Sequence, residues 1–370
     1  MTVVFYIFLI FLAFYFLFLL YFAVGFIKAE NYYSIQNFDD EFVTIIICAR
    51  NEEKNIVHCL TSIIKQDYDA KKINLILIND ASTDNTVKHA EFILSKAKIN
   101  YKIISNAQQK GKKQSITYAM QFVNTELIVM RDADTFTTST TWLKTISDFY
   151  CQTHSDLIIA PIALANNNGL LWALQAIENN VLAVLACGST YLKKPFLCNG
   201  ANLVFTKSVF EKVNGYFSHI NVASGDDVLF LEDVKKIEGI NINYLKSQNA
   251  TVYTYPAFSF SQLINQKVRW AGKFKSNKNN INLILAILSF LVNAFWLFSL
   301  IYGFLVPLKS HLGLFFILFK LLIDSLLLFL ASRFLKNRSL IWYVFPIGCI
   351  YPLYACVVAI ASFFIKPKWK

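Results

Sequence analysis

Two kinds of apolar pattern divide the chain. Long unbroken runs occupy its ends: residues 3–27 at the start, then 281–307, 312–332 and 340–365 at the close. Each is long enough to cross a bilayer as a helix. Between them the apolar residues come in short bursts. The bursts at 42–48, 73–78, 101–105 and 127–131 read as buried strands, near-continuous as in a parallel sheet. The intervening segments 51–66, 85–97 and 113–123 have helical spacing, most clearly at Ile56, Leu60, Ile63 and Ile64. This alternation predicts βαβ units with right-handed crossovers, hence an α/β domain. The polar turn from Asn79 to Asp84 ends the second strand, and Asp84 is expected to cap the helix after it. Beyond residue 135 the pattern loosens to helices expected near 142–150 and 170–186 and a strand near 157–160. Residues 258–274 set Phe258, Leu263, Val268 and Trp270 among Lys267, Arg269, Lys273 and Lys275. That amphipathic mixture predicts a helix on a membrane surface, with an ordinary packed helix as the alternative.

Composition supports the membrane reading. Charged residues make up 16% of the 370 and hydrophobic ones 55%, with mean hydropathy +0.44, where soluble proteins carry roughly a quarter charged residues. The first run lacks a basic n-region and an Ala-x-Ala site, so it is expected to be a retained anchor. The expected plan is an anchor at 1–27, an α/β domain at 28–257 and an interfacial segment at 258–280, followed by about three membrane segments within 281–366 and a basic tail at 367–370. The last segment either simply spans or is broken by Pro346 and Pro352 into a re-entrant or interfacial pair, and Lys320 with Asp324 is expected to form a pair within the third.

The net charge of +11 suits anionic lipid, diphosphates or nucleic acid. No aromatic platform interleaves the lysines, which speaks against nucleic acid. Seven scattered cysteines with no Cys-x-x-Cys predict reduced thiols, a cytoplasmic middle domain and no zinc cluster. Gly-x-Gly-x-x-Gly and Walker signatures are missing, which removes dinucleotide and P-loop readings.

The chemistry centres on Asp132 and Asp134. They leave the carboxyl end of the strand at 127–131, where α/β sheets bind ligands, and supply two hard oxygen donors. Four further features flank this pair along the chain: Cys48-Ala-Arg-Asn-Glu-Glu53, Ile78-Asn-Asp-Ala-Ser-Thr-Asp-Asn-Thr86 and Lys110-Gly-Lys112 before it, and Ser224-Gly-Asp-Asp227 with Gln266-Lys-Val-Arg-Trp270 after it. Together the series resembles the membrane-bound branch of family-two inverting nucleotide-sugar glycosyltransferases, the branch of cellulose, chitin and hyaluronan synthases. The resemblance covers most of residues 42–275 and implies a GT-A fold, a Rossmann-like α/β nucleotide-diphospho-sugar domain, flanked by transmembrane helices.

Its further implications are expectations. Ala49, Arg50, Glu52, Asp80, Lys112, Asp132 and Arg269 would hold the nucleotide sugar, with Asp80 on the base. Asp132 and Asp134 would bind Mg²⁺ or Mn²⁺. Asp227 would be the catalytic base with Asp226 beside it, although the family more often has Glu-Asp there. One of the two also stands where a helix cap is needed, and Asp226 is expected to fill that role. Asn199, Gly200, Gln266 and Trp270 would line the acceptor side. The donor is expected to be a UDP-sugar ahead of a GDP-sugar, and the acceptor a lipid or saccharide at the cytoplasmic face of the inner or plasma membrane, with no nucleic-acid partner. A processive polysaccharide synthase and an inactive nucleotide-binding regulator remain the alternatives.

Overall fold

The computed structural model describes residues 2–34, 38–222, 225–276, 280–305 and 310–364. Ser224 and the tail at 367–370 therefore lie outside the described residues. The chain forms two compact units: Ala29–Ala165 with Ser189–Tyr255, and Met1–Lys28 with Asn166–Gly188 and Pro256–Trp369.

After α1 (Thr2–Lys28), the first unit begins with β1 (Val43–Ala49), α2 (Ile56–Ile64), β2 (Ile73–Asn79), α3 (Thr86–Leu94), β3 (Asn100–Ser105), α4 (Lys112–Ala119) and β4 (Leu127–Asp132). The four strands pair in parallel in the order β3-β2-β1-β4, in the chain order that the pattern predicts. Alternate residues of β1 face opposite layers. Ile45 and Ile47 join Leu60, Leu75 and Val129, while Ile46 joins Ile76, Ile116 and Met130. Burial on both faces is why these strands are continuously apolar.

The continuation is β5 (Thr135–Phe136), α5 (Trp142–Thr153), β6 (Leu157–Ile159), β7 (Ile162–Leu164), α6 (Leu170–Tyr191), β8 (Asn202–Thr206), α7 (Lys207–Lys212), α8 (Val228–Val234), β9 (Ile242–Tyr244) and β10 (Val252–Thr254). Among the described residues the large sheet runs β3-β2-β1-β4-β8-β6-β9, and β5-β10-β7 form a small second one. The large sheet is mixed, because β8 inserts antiparallel between β4 and β6.

The helical unit adds α9 (Phe260–Ser276), α10 (Asn280–Leu305), α11 (Ser310–Phe334) and α12 (Val344–Phe364). Among the described residues five helices are long and apolar enough to cross a membrane, α6 included. Of the two forms open to the last segment, the unbroken one is found. A 3₁₀ turn at Arg338–Tyr343 leads into α12, which runs on through Pro352. Pro346 falls in the first turn, where its missing N–H has no helical partner to lose. Pro352 sits four residues after Gly348, whose lack of a side chain lets α12 close on Leu321, since a Cβ there would lie 2.1 Å from the leucine.

Several polar groups of this unit pair with one another. Lys320 Nζ meets Asp324 at 2.5 Å, as expected from their spacing. The side-chain amides of Asn180 and Asn337 bond at 2.9 Å. Lys267 is buried 2.6 Å from Glu178 and 4.0 Å from the centre of the Trp270 ring. In the sequence Lys267 counts with the polar face of α9. In the fold it shares the buried face with Leu263 and Val268, and α9 packs against Trp172 and Tyr354.

Candidate active site

The candidate site lies in the α/β unit, where the loops after β1, β2 and β4 meet at the carboxyl edge of the parallel strands. Asp80 organises the loop ahead of α4. Its carboxylate, 2% exposed, accepts from the backbone N–H of Lys110 at 2.8 Å and of Gly111 at 2.9 Å, and from the Asn106 amide at 2.9 Å. The Ser115 hydroxyl adds a bond of 3.3 Å. Asp80, expected to meet the nucleotide base, thus holds the loop that carries Lys112. Gly111 turns that loop at φ +86°, a region L side chains rarely enter.

The loops after β1 and β2 are bound to one another. Ala49 O accepts from Asp80 N, and Arg50 Nη1 donates to Asp80 O at 3.2 Å. Glu52 N donates to Thr86 Oγ1, and Glu53 N donates to Asp84 Oδ2. Asp84 also accepts from Thr86 N at 3.0 Å, so it is the helix-end residue expected from the sequence. Burial would raise its pKa, but the hydrogen bonds from Thr86 and Glu53 outweigh that and hold it below the ordinary carboxylate value.

The centre is a charge cluster. Lys112 Nζ lies 2.7 Å from Asp132 Oδ1 and 2.6 Å from Asp226 Oδ2, so one ammonium joins the end of β4 to the start of α8. Burial alone would lower the Lys112 pKa; the two carboxylates reverse this and raise it well above its usual value. Asp227 stands beside this bridge. Its Oδ1 accepts from Val228 N at 2.7 Å and its Oδ2 from Gly200 N at 3.3 Å. Asp227 is therefore the N-cap of α8, which corrects the expectation that Asp226 takes that role. The reason is that Lys112 draws Asp226 away from the helix end.

Gly200 is required by this packing. A Cβ there would lie 2.9 Å from Asp226 Oδ2 and 3.2 Å from Lys112 Nζ. Asn199 forms the turn that presents it, its Oδ1 accepting from Ala201 N at 3.0 Å. Asp134 is half-buried two residues past Asp132. The structure thus brings Asp80, Lys112, Asp132, Gly200, Asp226 and Asp227 into one network. Gln266, Arg269 and Trp270 lie on α9 of the helical unit, each half-buried.

Sequence reasoning missed two features of this region. One is the Lys112 bridge; the motif Lys110-Gly-Lys112 marked the residue but not its partners. The other is Arg131, which is 1% exposed, with its guanidinium 4.7 Å from the centre of the Trp142 ring and bonded to Thr135. A cation inside an apolar strand was its signal. Nearby thiols are inert: burial pushes Cys48 up to about 12 and Cys59 up to about 11.

Residues 44–213 match the family described as Glycosyl transferase family 2. An uncharacterised glycosyltransferase of Haemophilus influenzae is 38% identical over 92 residues, 25% of this chain and 28% of that protein. Poly-β-1,6-N-acetyl-D-glucosamine synthase of Staphylococcus aureus is 24% identical over 238 residues, 62% of this chain and 54% of its own. The chain thus spans about a quarter to a half of the length of these relatives. Among solved structures, a mannosyltransferase from Pyrobaculum calidifontis, in complex with GDP-Man and Mn²⁺, aligns over 94% of both chains with TM-score 0.55 and 14% identity. Residues 44–213 are accordingly a glycosyltransferase family 2 domain, built on the GT-A fold.

Proposed function

We propose that the chain is an inverting glycosyltransferase that moves a sugar from a nucleoside diphosphate to a lipid-linked or saccharide acceptor at the cytoplasmic face of a membrane. The observation that carries this reading is the convergence of Asp132, Lys112, Asp226 and Asp227 at the carboxyl edge of the sheet of a family 2 domain. Asp227 is the base. Its carboxylate takes the proton of the acceptor hydroxyl while the acceptor oxygen bonds to the anomeric carbon and the bond from that carbon to the diphosphate breaks. Attack opposite the leaving group inverts the anomeric centre. The backbone N–H of Gly200 and of Val228 fix the carboxylate for this task.

A divalent cation fits the donor set. Asp132, whose side chain is 36% exposed, and Asp134 offer hard oxygens, and groups of three or more candidate ligands do not occur among the described residues. Two carboxylates leave the remaining coordination to diphosphate oxygens and water, the usual arrangement for Mg²⁺. When bound, the ion would neutralise the departing diphosphate. Ala49, Arg50, Glu52 and the loop held by Asp80 are assigned to the nucleoside, and Arg269 to the diphosphate as a bidentate donor. Asn199, Gly200, Gln266 and Trp270 are assigned to the acceptor. The apolar helices support membrane association. The motif Gln266, Arg269, Trp270 favours a second reading, a processive synthase, in which successive transfers extend one acceptor.

The test is transfer by the detergent-purified chain from UDP- and GDP-sugars with Mn²⁺ or Mg²⁺ and a membrane lipid extract. A product whose anomeric coupling in proton NMR is opposite to the donor's supports the assignment. Retention of configuration, or no product from any donor, refutes it. A ladder of products bound to one acceptor identifies the processive form.

A further inference from the structure

We propose that Lys112 is an internal counter-ion that occupies the cation position of the site until a nucleoside diphosphate draws it away, so that divalent metal loads only together with the nucleotide. This rests on the reading above that Asp132 and Asp134 bind the metal. Lys112 Nζ contacts Asp132 at 2.7 Å and Asp226 at 2.6 Å, and its side chain is 14% exposed. The ammonium therefore already neutralises an oxygen that a metal would use, and a second cation beside it is repelled at short range. The stem of the lysine is anchored. Asp80 holds the backbone N–H of Lys110 and Gly111, and Lys112 opens α4. What remains free to move is the flexible side chain, a compact charge on four methylenes. A diphosphate arriving at Asp132 offers it a new anion, which frees the Asp132 oxygen for the metal. Contact with Asp226 holds the other side of the ammonium throughout, so the exchange needs no backbone rearrangement. The free protein is thereby guarded against taking up metal alone.

The experiment is Mn²⁺ titration of the full-length chain in detergent, following free aqueous Mn²⁺ by electron paramagnetic resonance. Wild type, Lys112→Met and Lys112→Arg are compared with and without UDP or GDP, with nucleotide binding measured separately by calorimetry. Without nucleotide, Lys112→Met is expected to bind Mn²⁺ at least about tenfold more tightly than wild type, and Lys112→Arg to match wild type. Nucleoside diphosphate should tighten Mn²⁺ binding to wild type by a similar factor, a comparison that stands even if a variant misfolds. Equal or weaker Mn²⁺ binding by a folded Lys112→Met, or wild-type affinity indifferent to nucleotide, would overturn the proposal. Failure of all three proteins to bind either nucleotide would instead overturn the functional reading.

Discussion

The buried cations of the two units are balanced differently. In the helical unit Lys320 pairs with Asp324 and Lys267 with Glu178. At the candidate site of the α/β unit the Lys112 ammonium serves two carboxylates, and Asp227 and Asp134 stand close in the chain to those two. A one-to-one pair in an apolar setting is neutral and closed, and it contributes to packing. A site with more carboxylates than cations has negative charge to spare, which is what a divalent ion and a proton-abstracting base require. Lys144 also bridges two carboxylates, Asp40 and Asp148, but at the amino end of β1; partner count together with position at the carboxyl edge sets Lys112 apart.

Substitutions can break that contrast. The largest effect on turnover is expected for Asp227→Asn, about 10²–10⁴-fold lower, because the base is lost while asparagine still caps α8. Unfolding in detergent should be nearly unchanged. Lys320→Met should do the reverse. It strands Asp324 and lowers stability by about 3 kcal/mol. Nucleoside diphosphate affinity, read by calorimetry, should stay at the wild-type value. Gly200→Ala should fall between them, since the added Cβ meets the Lys112–Asp226 pair. Overpacking of this kind costs about 1–3 kcal/mol, and turnover should drop roughly tenfold.

The smallest effect concerns His219, in the segment before Asp226. Burial, and then the Lys113 cation, lower its pKa to about 4. The unfolded chain then binds the proton more readily, so stability is full above the ordinary histidine value and declines as pH falls toward 4. Thermal melts of His219→Gln should show a shallower loss between pH 6.5 and 4 than wild type.

Legibility from sequence followed how local each signal is. The succession from β1 to β4 could be read because each strand carries its own apolar run and each helix its own period. The insertion of β8 between β4 and β6 could not, as pairing between residues 127–131 and 202–206 leaves no local trace. Lys267 looked solvated because periodicity does not disclose that Glu178 waits beneath it. Capping of α8 fell to Asp227 rather than Asp226 because Lys112, more than a hundred residues earlier, pairs with Asp226. Pro352 left open whether the last segment breaks, and the sequence alone does not show that α12 runs on through it.

The most direct measurement is release of nucleoside diphosphate from UDP- and GDP-linked sugars by the purified chain, with Asp227→Asn in parallel. The account predicts release from at least one donor, dependent on Mn²⁺ or Mg²⁺ and about 10²–10⁴-fold slower in the variant. Nucleotide binding with every donor left intact, or equal release by the variant, would contradict it.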